Sequence, residues 1–254
     1  MTIDAELLRQ ASDFAHELNT RIERVLPDHQ PQFFAQVLAT SKPSLTVTPV
    51  RPDDPDREAQ PLTLTIQGRV RPQPLHLRAL FWCCYDITGR YLTIERSDLG
   101  LGLARIAEPL FRVEYDRNMN RRNRLPAAHV QVHAHRDEMT GLMAHADEQR
   151  PKQRWRAGRF PRLSEFHFPV GGDRYRPCLE DLISIAVTEL GVRTKKGAWA
   201  ALEEGRAEWR RRQLAAAVRD APEIAAKALR EEGWSVRAGS GAGRHERTNR
   251  LQEI

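Results

Sequence analysis

Three histidines, His129, His133 and His135, sit in the segment AAHVQVHAH, residues 127 to 135. In an extended chain, alternate residues face the same side, so the three share a face with Gln131, while Val130, Val132 and Ala134 take the other. Two imidazoles two positions apart lie roughly 6.5–7 Å apart at Cα, near enough for both to reach one divalent metal ion or one phosphate. This spacing suits His129, His133 and His135 as metal ligands, or His133 and His135 as an acid–base pair.

The preceding apolar stretch, FRVEYD, alternates in the same way, setting Arg112, Glu114 and Asp116 against Phe111, Val113 and Tyr115. If the two strands are neighbours, Glu114 and Asp116 face the histidines. Two histidines and a carboxylate leave coordination positions open on Zn, Fe or Mn for water or substrate. His167, beside Glu165 on a later short strand, is a further candidate for the same site. The competing reading is an ordinary solvated sheet face, where alternation alone sets polar residues on one side.

Arginines crowd around this run. Arg117, Arg121, Arg122 and Arg124 lie in DRNMNRRNRLP, just before the histidines. Arg154 and Arg156 belong to a later basic stretch with Trp155 and Phe160 interleaved, and Arg174 and Arg176 follow Gly171-Gly172. Between Arg117 and Arg176 there are 13 Lys and Arg against 6 Asp and Glu, whereas the whole chain of 254 residues carries +6. The positive excess is therefore local. Cations mixed with stacking groups are the pattern of a surface that grips single-stranded nucleic acid or another polyanion. A solvated charged loop is the alternative.

The elements that must position these residues are legible from periodicity. Leu7, Leu8, Ala11, Phe14, Ala15, Leu18, Ile22 and Val25 recur at helical spacing until Pro27. A second short helix is expected over residues 31–38, before Pro43. Alternating, β-branched segments follow in SLTVTPV, LTLTIQGRV, LHLRALFWCCYD, YLTIERSDLGL, LFRVEYD and AAHVQVHAH, with Thr88-Gly89 as a hairpin turn. Residues 165–169 form a last short strand, and Pro177 opens a helix to Leu190. The chain then stays helical. Trp199, Leu202, Trp209, Leu214 and Val218 anchor one helix, and Asp220-x-x-Glu223 caps the next. The expected fold is α+β: a mostly antiparallel sheet flanked by an N-terminal helix and a helical C-terminal region. Residues 1–190 would form the α+β domain, 191–236 a helical extension and 237–254 a disordered basic tail.

The opening residues, MTIDAELLRQASDFAHEL, contain neither a basic leader nor a long apolar run, and the three cysteines show no metal spacing. A cytoplasmic protein with no membrane contact is expected. No Gly-x-Ser-x-Gly elbow or phosphate-loop glycine motif is present. The expected function is that of a prokaryotic-type protein binding nucleic acid or another polyanion through residues 117–176, with hydrolytic chemistry at the histidine face. The alternative is a non-catalytic component of a defence or toxin–antitoxin-like system, binding a protein partner or a second copy through the C-terminal helices.

Overall fold

The N-terminal apolar stripe forms the first helix, α1 (Ala5–Val25), whose start is capped by Asp4 Oδ1 accepting from the Leu7 amide at 2.8 Å. The computed structural model describes residues 4–38, 43–54, 56–66, 73–86, 88–119, 126–134, 168–170 and 175–239. All the stripe residues of α1 are buried except Leu8, which lies at the stripe's edge and is exposed.

The segment after α1 departs from expectation. Residues 31–38 do not form a helix; Gln32–Leu38 is strand β1, paired antiparallel with β2 (Ser44–Val50) along its whole length. Phe33, Phe34, Val37 and Leu38 imitate a helical stripe, but Val37 is 47% exposed, so no helical face is buried. The deciding contacts are tertiary. Asn19 of α1 bonds both backbone groups of Phe33, accepting from its N–H at 2.6 Å and donating to its C=O at 2.9 Å. Such a clamp and a paired ladder outweigh the small differences in intrinsic propensity.

The sheet continues with β3 (Leu62–Ile66), β4 (Gln73–Tyr85), β5 (Leu92–Leu103), β6 (Phe111–Asp116), β7 (Ala128–Val132) and β8 (Phe168–Pro169), all antiparallel. Its order is β1-β2-β4-β5-β6-β7-β8, with β3 beside β4. The long strand β4 serves two partners on one edge, β3 along Gln73–Leu77 and β2 along Phe81–Cys83. Its other edge pairs with β5, with a bulge between Trp82 and Cys83. Asp86 holds the turn between them, accepting from the Thr88 amide at 3.0 Å and hydroxyl at 2.6 Å, and Gly89 takes the left-handed conformation with φ 68°.

Three helices follow: α2 (Leu179–Leu190), α3 (Ala198–Asp220) and α4 (Pro222–Glu231). With α1, helices α2 and α3 close one hydrophobic core over the sheet, centred on Phe14, Leu18, Phe81, Leu101, Leu182 and Leu202. The expected Asp220–Glu223 cap is replaced by a tighter corner. Asp220 is the last, buried residue of α3, Ala221 alone links the helices, and Pro222 opens α4. Polar contacts set α3 onto α1: Arg24 meets Glu204 at 2.6 Å and Arg212 meets Glu17 at 2.6 Å. Beneath them, buried Glu180 of α2 takes Arg21 of α1 at 2.8 Å. Among the described residues no helix is long and apolar enough to cross a membrane.

Candidate anion-binding cavity

Strands β6 and β7 are neighbours, and their register sets Glu114 opposite His129 and Arg112 opposite Gln131. The four side chains form one network on the sheet face opposite the described helices. Glu114 Oε2 lies 3.1 Å from His129 Nε2, Arg112 donates to Gln131 Oε1 at 2.6 Å, and Arg112 reaches Glu114 at 3.3 Å. His129 is fully buried, and its Nδ1 faces the Pro126 carbonyl at 3.1 Å. Both ring nitrogens thus face protein oxygens at hydrogen-bond distance, and neither opens onto a metal site.

The hydrogen bond from His129, with Arg112 and Arg96 near, holds the Glu114 carboxyl below its ordinary value, against the opposing effect of burial. Such a carboxylate adds stability at neutral pH that is lost as pH falls below about 4.5 toward its lowered folded value. Glu114→Gln is therefore expected to cost roughly 1–3 kcal/mol at pH 7 and to flatten the acid limb of unfolding. Circular dichroism melts from pH 7 down to pH 3 check this, and parallel acid limbs for both proteins would refute it.

The remaining members of the histidine set lie elsewhere. Strand β7 ends at Val132; His133 keeps one further backbone bond, donating its N–H to the Leu110 carbonyl at 2.8 Å, and directs Nδ1 to Glu108 Oε1 at 3.0 Å in the β5–β6 connection. Asp116 accepts from the Asn118 amide at 2.8 Å and so stabilises its own turn. His135 and His167 fall outside the described residues. Among the described residues no group of three or more His, Cys, Asp or Glu is placed to hold a metal ion.

Of the arginines expected to meet phosphate, Arg121, Arg122, Arg124, Arg154, Arg156 and Arg174 also lie outside the described residues. Arg117 and Arg176 are described, and both turn to the helix side of the sheet. Arg117 donates to Thr93 Oγ1 at 2.6 Å. Arg176, only 5% exposed, lays its guanidinium 3.7 Å from the Tyr115 ring centre and 5.2 Å from that of Trp209.

These two arginines, far apart in sequence, line one cavity of about 440 Å³ enclosed by α1, the β4–β5 turn and α3. Arg212 and Arg219 of α3 line it too, opposed by Asp13, Glu17, Asp86 and Asp220. Arg219 sits 4.0 Å from Asp86 and 5.1 Å from the centre of the Tyr91 ring. Trp209 Nε1 and Gln213 Oε1, from residues in the same wall, are buried with no hydrogen-bond partner among the described residues. An unpaired buried donor and acceptor are costly and are often explained by a function. The periodic positions Trp209, Arg212, Gln213, Ala216 and Arg219 bring one face of α3 to the cavity. The neighbouring Arg206 and Arg210 turn instead to Asp181, at 2.7 and 3.9 Å.

On the far side of Trp209 and Arg176 lies a second, mainly apolar groove of about 920 Å³. Its floor is Val113 and Val130, and its walls include Ile185 of α2 and Leu214 of α3. Cys178 is structural: it caps α2, with Asp181 Oδ2 accepting from its amide at 3.0 Å and its thiol at 3.3 Å, and burial pushes the thiol well above its ordinary value.

Together, fold and cavity define an α+β protein in which helices roof an antiparallel sheet and enclose an arginine-lined chamber at one end. No protein-family model, curated protein or solved structure matches the chain.

Proposed function

We propose that this protein binds single-stranded nucleic acid, taking one phosphate-bearing nucleotide unit in the arginine-lined cavity. The observation that carries this reading is the convergence of Arg117, Arg176, Arg212 and Arg219 on a single chamber. Its volume falls within the roughly 300–1,000 Å³ of small-molecule sites, which suits a nucleotide and excludes a duplex. Guanidinium groups match phosphate bidentately. Trp209 Nε1 and Gln213 Oε1 supply one donor and one acceptor for the edge of a base. The four carboxylates already engage some of these arginines, as Glu17 does Arg212, so binding exchanges internal ion pairs for phosphate. The reading is one of binding. His129 is tied into the sheet and offers no free ring nitrogen for acid–base work.

The test is fluorescence anisotropy with a labelled single-stranded oligonucleotide between 50 and 200 mM salt, with a mononucleotide as competitor. Affinity is expected to fall steeply with salt, and Arg219→Ala to weaken binding roughly tenfold while reducing the salt slope by about 1. Binding that ignores salt, or that is equal in wild type and Arg219→Ala, would overturn it.

A second reading, association through the C-terminal helices, is favoured by one specific observation. Helix α4 has no buried residue.

A further inference from the structure

We infer that Tyr91 is the base-stacking residue of the arginine-lined cavity, so that the site selects nucleotides over bare phosphates and sugar phosphates. This rests on the nucleotide reading above and adds to it the group that recognises the base. Three described aromatic residues line the wall, Phe14, Tyr91 and Trp209. Phe14 is 7% exposed and sets its ring edge-on to Phe81 at 5.3 Å, so it belongs to the core. Trp209 packs against the same core and carries the Arg176 guanidinium 5.2 Å from its ring centre. Tyr91 is 52% exposed at the cavity wall. An exposed tyrosine means little by itself; its setting gives it a use.

The ring is delivered by a turn that is held at several points. Asp86 accepts from the Thr88 amide and hydroxyl and, at 3.4 Å, from the amides of Arg90 and Tyr91, while its own N–H donates to the Tyr91 carbonyl at 2.8 Å. Gln10 of α1 clamps the same stretch, donating to the Arg90 carbonyl at 3.1 Å and accepting from the Leu92 amide at 2.7 Å. With the backbone fixed on both sides of residue 91, little ordering remains to be done when a ligand meets the ring. The cover now over the ring is weakly held. Arg219 lies 5.1 Å from the ring centre and 4.0 Å from Asp86, at the outer limit of an ion pair, with 39% of its side chain exposed. A phosphate that takes Arg219 uncovers the ring for a base. The exchange favours the base, since stacking on an aromatic side chain is worth roughly five- to hundredfold in affinity, against about two- to fivefold for an exposed cation–π contact. Every base has a π face, so Tyr91 accepts any nucleotide of a strand.

The experiment is isothermal titration calorimetry of the full chain with adenosine 5′-monophosphate and with ribose 5-phosphate, which share sugar and phosphate and differ by the base. Circular dichroism checks that each variant is folded. The wild type is expected to prefer the nucleotide by roughly tenfold or more. Tyr91→Leu is expected to lose about tenfold for the nucleotide while holding ribose 5-phosphate within about twofold, and Tyr91→Phe, which keeps the ring, to restore the preference. Arg219→Ala weakens both ligands alike. A wild type with no preference, a Tyr91→Leu protein that keeps the full preference, or one that loses both ligands by the same factor would remove Tyr91 from this role and leave the cavity reading standing. A wild type that binds neither ligand overturns both.

Discussion

Replacing Glu180 with alanine is expected to lower the stability of the chain by about 3 kcal/mol, because it removes the more buried of the two carboxylates that hold the Arg21 guanidinium where three helices meet. The Glu180 side chain is 5% exposed and that of Arg21 12%, with 2.8 Å between them. Arg21 also reaches Glu208 of α3 at 2.8 Å, so the pair ties α1 to both C-terminal helices. Crowding at this point explains residue 205. A Cβ at Gly205 would strike the guanidinium of Arg21 and the carboxylate of Glu180, so glycine is retained mid-helix despite costing about 1 kcal/mol in propensity. Urea denaturation is the measurement. A midpoint unmoved in Glu180→Ala would show that solvent or a neighbour satisfies Arg21.

Phe81→Ala is expected to cost a similar amount or more, about 3–5 kcal/mol, through lost burial and the cavity left behind. Phe81 stands in the centre of β4, almost fully buried, with its ring edge-on to Phe14 of α1 at 5.3 Å and 6.5 Å from Phe33 of β1. It joins the roofing helix to two strands at once, so no single neighbour can move to fill the space. Edge-to-face pairs add about 0.5–1.5 kcal/mol beyond area. Phe81→Leu keeps most of the apolar volume and should lose clearly less. Thermal melts of the two variants check this, and equal losses would mean that the site collapses around the smaller side chain.

How far the sequence foretold these features depends on the range of the forces involved. The His129–Glu114 network was legible, because period-two alternation puts each residue on a definite face and consecutive strands tend to pair. The fate of His133 was not. Nothing local says that the ladder stops at Val132, or that Glu108 waits across the connection. The spacing of Phe33, Phe34, Val37 and Leu38 fits a helical stripe and not period-two alternation, and Asn19, which clamps the segment as strand β1, belongs to another element. The cavity had still less local signal. Its arginines come from the end of β6, the approach to α2 and one side of α3, and the basic composition of residues 117–176 pointed to Arg117 and Arg176 without showing that they converge. The α3 spacing from Trp209 to Arg219 was visible, but it is also that of any helix lying on a core.

The joining of α1 to α3 bears on the order in which the molecule assembles. Strands β4 and β5 are joined by a tight turn and can zip from it, whereas Glu17 and Arg212 are 195 residues apart in the chain. Contacts of such separation form only after a long loop has closed, so they come late in folding. The arginine chamber, walled by both helices, therefore exists only once the two ends of the chain have met. A ligand held there binds the native chain alone, and at a hundredfold excess over its dissociation constant it would raise resistance to unfolding by about 2.7 kcal/mol.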